Sequence, residues 1–262
     1  MLSHFLQSLQ SRYTYCFSRT QAEKETGLSG QSLSTTLLRY VKKGDIFNVR
    51  RGIYIIIPIE YRVYGIIPLE LYIDEMMPLI NKQYYVGMYN AARVHGASHY
   101  AIMEDYVMTT IQSPPDIRND KIRINYFSIR QWPKKNIQRR KFASGSYNIS
   151  SPALTAVDLT KHQNQIGGIN KVFGVIQELQ EEITSQDLQD LVSWYPYKAN
   201  IQRLGFLLEL AECDEELLII LDNYLKTEKI YATPLVFDKN ATTTGKSKRW
   251  KINVNAEIDE EL

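Results

Sequence analysis

Residues 18–57 constrain the fold most, because chain-breaking signals cut this stretch into pieces of defined type. Ser18 suits the N-cap of a short helix over "RTQAEKETG", and Gly27 ends it. The turn "LSG" leads into "QSLSTTLLRYVKKG", closed by basic residues and Gly44 as helix C-termini often are. Two strand-like runs follow, "IFNV" and "IYIII", joined by "RRG", where Gly52 supplies the positive φ that a tight hairpin needs. Upstream, Leu2, Phe5, Leu6 and Leu9 recur at helical spacing, and "YTYCF" is β-prone. Helix, short helix, turn, helix, hairpin is the order of a winged helix-turn-helix.

Pro58 and residues 61–65 make a domain boundary. The sequence therefore predicts a winged helix over 1–57 and a larger mixed α/β domain over 58–262, α+β as a whole. In the second part, "PLELYIDEMMPLI" and "YYVGMYNAARVHG" read as helices, the latter ended by Gly96. "DYVMTTI" and "KIRINYFSI" read as strands, with the prolines of "SPPD" in their connection. After the strand-like "GSYNI", Ser151 and Pro152 fit the N-cap and first position of "ALTAVDLTKH". Helices are expected over 169–183, 185–194, 199–211 and 215–226, with Thr184 and Asp187 approximating a capping box. "IYATPLVF" and "RWKINVN" read as closing strands around a polar link.

The net charge of +2 conceals an asymmetry. Residues 1–57 carry eight basic side chains (Arg12, Arg19, Lys24, Arg39, Lys42, Lys43, Arg50, Arg51) against Glu23, Glu25 and Asp45. Residues 178–190 and 209–216 are acidic, and the chain ends in "EIDEEL". A basic first quarter suits contact with an anion. Cys16 and Cys213 are far apart without metal spacing, which favours free buried thiols in a reducing compartment. No apolar run reaches the ~18 residues of a spanning helix, so a cytoplasmic protein without membrane contact is expected.

Placed on a helix at about 100° per residue, Leu33, Leu37 and Val41 share one face, with Leu38 at its margin. Ser32, Thr35 and Arg39 lie opposite, flanked by Lys42 and Lys43, and no acid occurs on this helix. Small hydroxyls admit close approach, Gln31 can address adenine edges, and Arg39 can address guanine or phosphate. Arg50 and Arg51 at the hairpin tip would reach the adjacent minor groove or backbone. The expected DNA-contacting set is therefore Gln31, Ser32, Thr35, Arg39, Lys42, Lys43, Arg50 and Arg51. A second basic stretch, 118–141, interleaves Tyr126, Phe127 and Trp132 with cations. Two readings stand for it: further nucleic-acid contact, or a strand edge whose charges discourage aggregation.

Catalytic signals are weak. His95 and His99 have the i, i+4 spacing of zinc helices, but Gly96 interrupts them and no glutamate follows the first histidine. A PD-(D/E)xK nuclease begins at Asp116, yet Asp120 and Lys121 are adjacent and point apart on a strand. Asp158 is a lone acid on an apolar helix. No catalytic, cofactor or metal site is expected.

Several stretches together resemble the AbiEi-type antitoxin family of bacterial type IV toxin–antitoxin, or abortive-infection, systems. They are "LSGQSLSTTLLRYVKKGDIFNVRRGIYIIIP", "YYVGMYNAARVHG", "ISSPALTAVDLTKH", "RLGFLLEL" and "PLVF…RWKINVN", in the family's order. Two features depart from it: an extra apolar N-terminal helix and a threonine-rich basic link before Trp250. The resemblance implies a winged helix that binds inverted repeats in double-stranded promoter DNA and represses the operon. It also implies a C-terminal domain that counteracts a nucleotidyltransferase-like toxin without forming a stable complex. Alternatives are a solitary winged-helix regulator with a ligand- or protein-sensing second domain, and a metal-dependent nuclease.

Overall fold

The computed structural model describes residues 1–62, 67–97, 104–142, 145–238 and 241–258. The first elements are α1 (Leu2–Gln10), β1 (Cys16–Ser18), α2 (Arg19–Thr26), α3 (Gly30–Lys43), β2 (Ile46–Arg50) and β3 (Ile53–Ile56). Then come α4 (Ile73–Leu79), β4 (Tyr84–Val86), α5 (Met88–Val94), β5 (Asp105–Thr110), β6 (Ile117–Arg118), β7 (Arg123–Ile129), β8 (Ile137–Phe142) and β9 (Gly145–Ser150). The last are α6 (Pro152–His162), α7 (Ile169–Leu179), α8 (Ser185–Val192), α9 (Lys198–Leu210), α10 (Glu215–Thr227), β10 (Thr233–Pro234), β11 (Gly245–Ser247) and β12 (Ile252–Val254). Residues gather into two compact units, one of Met1–Tyr85, Met103–Arg130 and Arg139–Asn148, the other of Val86–Ile102, Gln131–Gln138 and Ile149–Leu262.

In the first unit the winged helix forms as its local signals dictate. The Ser18 hydroxyl accepts from the Gln21 N–H at 3.0 Å and starts α2. Gly27 and Gly44, at φ 68° and 74°, close α2 and α3 in the left-handed region that glycine enters without strain. Strand β3 lies between β1 and β2, antiparallel to both. Leu2, Phe5, Leu6 and Leu9 of α1 join Phe17, Ala22, Leu33, Leu37, Ile46, Tyr54 and Ile56 in one apolar core. Helix α1 is thus the first helix of the winged domain, where the sequence had suggested an added extension.

A mixed six-stranded sheet runs in the order β6-β7-β5-β4-β9-β8. Strands β5 and β7 are parallel, paired from Asp105↔Ile124 to Thr110↔Ile129, and β6 adds antiparallel at the edge. Two expected helices resolve differently. "YYVGMYNAARVHG" begins as β4, whose three residues are all buried, and becomes helical only after Gly87, which is extended at φ −131°. "PLELYIDEMMPLI" breaks at Tyr72 into a 3-10 turn and α4. Three strands went unread: the two-residue β6, β8 within the basic stretch, and β11 within the polar link. Strand β8 is the sheet's other edge, with Gln138–Phe142 exposed.

In the second unit α6 is the central helix, buried continuously from Pro152 to Thr160 and packed by α5, α7, α8 and α9. With Ala153, Leu154, Ala156, Val157 and Leu159 spread around its circumference, it has to be enclosed in this way. Thr184 caps α8 by accepting from the Asp187 N–H at 3.2 Å. The Asp187 carboxylate does not reach back as a capping box would. It accepts from the Ala153 N–H at 2.7 Å and from Asn136 Nδ2 at 2.7 Å. Trp250 is fully buried, its indole N–H donating to Glu209 at 2.8 Å, and a Cβ at Gly205 would fall 2.3 Å from its ring.

Candidate nucleic-acid interface

Leu33 and Leu37 of α3 pack into the winged-helix core, which fixes the opposite face outward. Gln31, Ser32, Thr35, Arg39, Lys42 and Lys43 are all exposed on it. Arg39 and Lys43 lie 5.7 and 5.8 Å from the Tyr40 ring centroid, a weak cation–π association that leaves their charge facing water. The acid nearest the end of this helix, Asp45, is engaged by Arg62 at 2.7 Å. Leu38, placed at the apolar margin by periodicity, is instead 54% exposed and outside the core cluster.

The two wing arginines differ. Gly52 takes φ 76° at the turn, and Arg51 beside it is exposed. Arg50 ends β2 just after a register shift in the ladder, and it turns inward. Its guanidinium lies 5.2 Å from the Tyr126 ring centroid and donates to the Pro115 carbonyl. Its Nε is buried without an aligned partner, as is the Tyr126 hydroxyl. Burial pushes the Tyr126 phenol pKa up, and the neighbouring guanidinium partly offsets that rise. Of the two tip cations read from the sequence, Arg51 is the one left facing solvent.

Two supporting residues escaped the sequence reading. The Arg19 backbone N–H donates to the Gly52 carbonyl at 2.7 Å, and its Nη2 donates to the Gly30 carbonyl at 2.8 Å. One residue therefore ties the wing turn to the start of α3. Glu75 of α4 accepts from the Tyr15 and Cys16 N–H groups, both at 3.2 Å, on the free edge of β1. Desolvation is the largest influence on this carboxyl; the two amide hydrogen bonds oppose it, and the pKa stands at about 7. Neither role has a local sequence signal, because the partners are distant in the chain.

The basic stretch divides in space. Arg118 of β6 pairs across from Arg123 of β7 at one edge of the sheet, whereas Arg139, Arg140 and Lys141 lie on β8 at the other. Arg139 is held by Asp74 at 2.8 Å. Among the other candidates, Asp116 accepts from the Tyr126 N–H at 2.9 Å, and Asn119 caps the turn containing Asp120 and Lys121. His95 Nε2 meets the Ser150 carbonyl at 2.8 Å, and His99 lies outside the described residues. Asp158 is buried within α6. Cys16 and Cys213 are buried free thiols. Among the described residues, no cluster of three or more histidine, cysteine or carboxylate side chains is placed to hold a metal. Nor is any helix among them long and apolar enough to cross a membrane.

A winged helix presenting an acid-free polar face and an outward wing cation is the architecture of a DNA-binding regulator. Two family models bear this out. Residues 4–57, which include most of α1, match the transcriptional regulator model of the AbiEi antitoxins, and residues 85–210 match the AbiEi antitoxin C-terminal domain. The chain belongs to the AbiEi antitoxin family. In fold it is similar to the crystal structure of the RV2827C protein from Mycobacterium tuberculosis, at 12% identity and a TM-score of 0.65, over 95% of this chain and 89% of that one. No curated protein matches the chain in sequence.

Proposed function

We propose that this regulator represses its own operon, placing α3 in the major groove of inverted repeats in the promoter and Arg51 on the flanking backbone. Gln31, Ser32, Thr35 and Arg39 address the base edges, Lys42 and Lys43 address phosphates, and Arg50 anchors the wing from within. The observation that carries this reading is the acid-free exposed face of α3, with its nearest acid neutralised by Arg62. The winged helix over 1–57 serves DNA, and residues 58–262 counteract a nucleotidyltransferase-like toxin without a lasting complex. The protein works by binding rather than by catalysis.

The test is binding of purified protein to the DNA upstream of its gene against unrelated DNA of equal length, across a salt series and with and without Mg²⁺. Operator-preferring, salt-sensitive binding without cleavage is expected. Equal affinity for both duplexes refutes the repressor reading, and Mg²⁺-dependent DNA loss refutes the non-catalytic one. For the antitoxin part, co-expression with a nucleotidyltransferase-like toxin of this family's systems should restore growth when residues 58–262 are intact. The two proteins should not co-purify.

A further inference from the structure

We infer that Leu38 is a sequence-reading residue that packs on the C5-methyl groups of thymines in the operator's major groove. This deepens the DNA-binding reading and rests on it. At about 100° per residue, Gln31, Thr35, Leu38 and Lys42 fall within about 60° of one another, in one stripe along α3. Taking the midpoint of buried Leu33 and Leu37 as the inward direction, Thr35 and Lys42 lie within about 20° of directly outward, and Gln31 and Leu38 lie about 40° and 60° to one side. The outward arc centred on Thr35 is the one that enters the groove, and Leu38 stands at one flank of it. Arg39 and Ser32 lie about 40° and 60° to the other side, on the opposite flank of the same arc.

Leu38 is the apolar member of that stripe. A single exposed leucine on a surface needs no explanation by itself. Here position supplies one: Leu38 is 54% exposed and takes no part in the winged-helix core, on the flank of the outward arc that Thr35 and Lys42 centre. A floor made only of hydrogen-bonding edges would leave such a side chain facing polar groups. In the major groove the thymine methyl is the one apolar group presented by the base pairs, so it alone rewards a leucine there. Thr35, one turn earlier, places a second methyl beside it. The chemistry thus assigns A·T pairs to the base steps facing the Leu38 flank of α3, with the amide of Gln31, on the same flank, able to read the adenine partners.

The experiment is a double-mutant cycle between protein and DNA. Promoter duplex is prepared with thymine and with uracil in its place, which removes the methyl and keeps the base pair's hydrogen bonds. Both are titrated with the full chain and with Leu38→Ala. Deleting one thymine methyl beneath Leu38 should weaken parent binding about 4-fold, from the transfer free energy of one methylene-sized group. Leu38→Ala should weaken binding to the thymine duplex and be markedly less sensitive than the parent to uracil. The cycle cancels any general effect of uracil on duplex shape. Equal sensitivity of parent and variant, or an unaffected parent, overturns the assignment while leaving the repressor reading in place. Absence of promoter preference in the parent overturns both. Unchanged thermal stability of Leu38→Ala confirms that the weakening arises at the DNA.

Discussion

Arg50 and Arg51 are adjacent and chemically identical, yet the structure gives them opposite employment, so replacing each by alanine separates binding from stability. Arg51 is exposed at the wing turn. Losing one phosphate-contacting cation reduces the slope of log affinity against log salt by about 0.9. Extrapolated from 1 M to 0.1 M salt, that is an affinity loss of roughly 8-fold, with the melting temperature unchanged. Arg50 stacks on Tyr126 and donates to the Pro115 carbonyl. Its removal forfeits a cation–π interaction of about 0.5–1 kcal/mol and a charge-assisted hydrogen bond of about 1.5–3 kcal/mol. Partial exposure discounts the sum, so Arg50→Ala should cost about 2 kcal/mol of stability. At saturating folded protein the salt slope should stay close to the parental value. Promoter titrations at several salt concentrations, paired with urea denaturation, read both quantities. If Arg50→Ala flattens the salt slope while leaving stability intact, Arg50 points to DNA and the inward assignment is refuted.

Glu75 carries a pH dependence. Its carboxyl pKa, about 7 in the folded state against an ordinary value of 4.5, means the native protein holds that proton more tightly than the unfolded chain. Its contribution to stability is greatest below pH 4.5 and falls as pH rises to about 7, by on the order of 2 kcal/mol after discount for partial exposure. Glu75→Gln, which keeps an acceptor for Tyr15 and Cys16, should remove that fall and exceed the parent's stability at pH 8 in urea titrations; identical pH profiles would count against it. Gly205→Ala sets a helix-propensity gain of about 1 kcal/mol against a Cβ 2.3 Å from the immobile Trp250 ring. Overpacking should win, with a net loss of about 1–3 kcal/mol and an altered tryptophan fluorescence. Asn136→Ala should cost about 2–4 kcal/mol, because it strands the Trp194 indole N–H, held at 2.7 Å, and one oxygen of Asp187; a loss below 1 kcal/mol would show that water replaces the side chain.

What the sequence determined is the part governed by neighbours in the chain. Ser18, Gly27, Gly44 and Gly52 set the ends of α2 and α3 and the wing turn, because caps and positive-φ turns act within a few residues. The periodicity of α3 likewise decided which side chains face water, since its core-facing positions repeat at the helix's own spacing. Ser151 and Pro152 start α6 for the same local reason. Tertiary structure decided what long-range packing controls. Tyr84–Val86 carry no periodic signal that separates a helix from a fully buried strand, and only the sheet around them selects the strand. Strand β8 was hidden because an exposed edge has no apolar alternation to read. Nothing local distinguishes Arg50 from Arg51. Pro115 and Tyr126, more than sixty residues away in the chain, draw one guanidinium inward and leave the other for solvent.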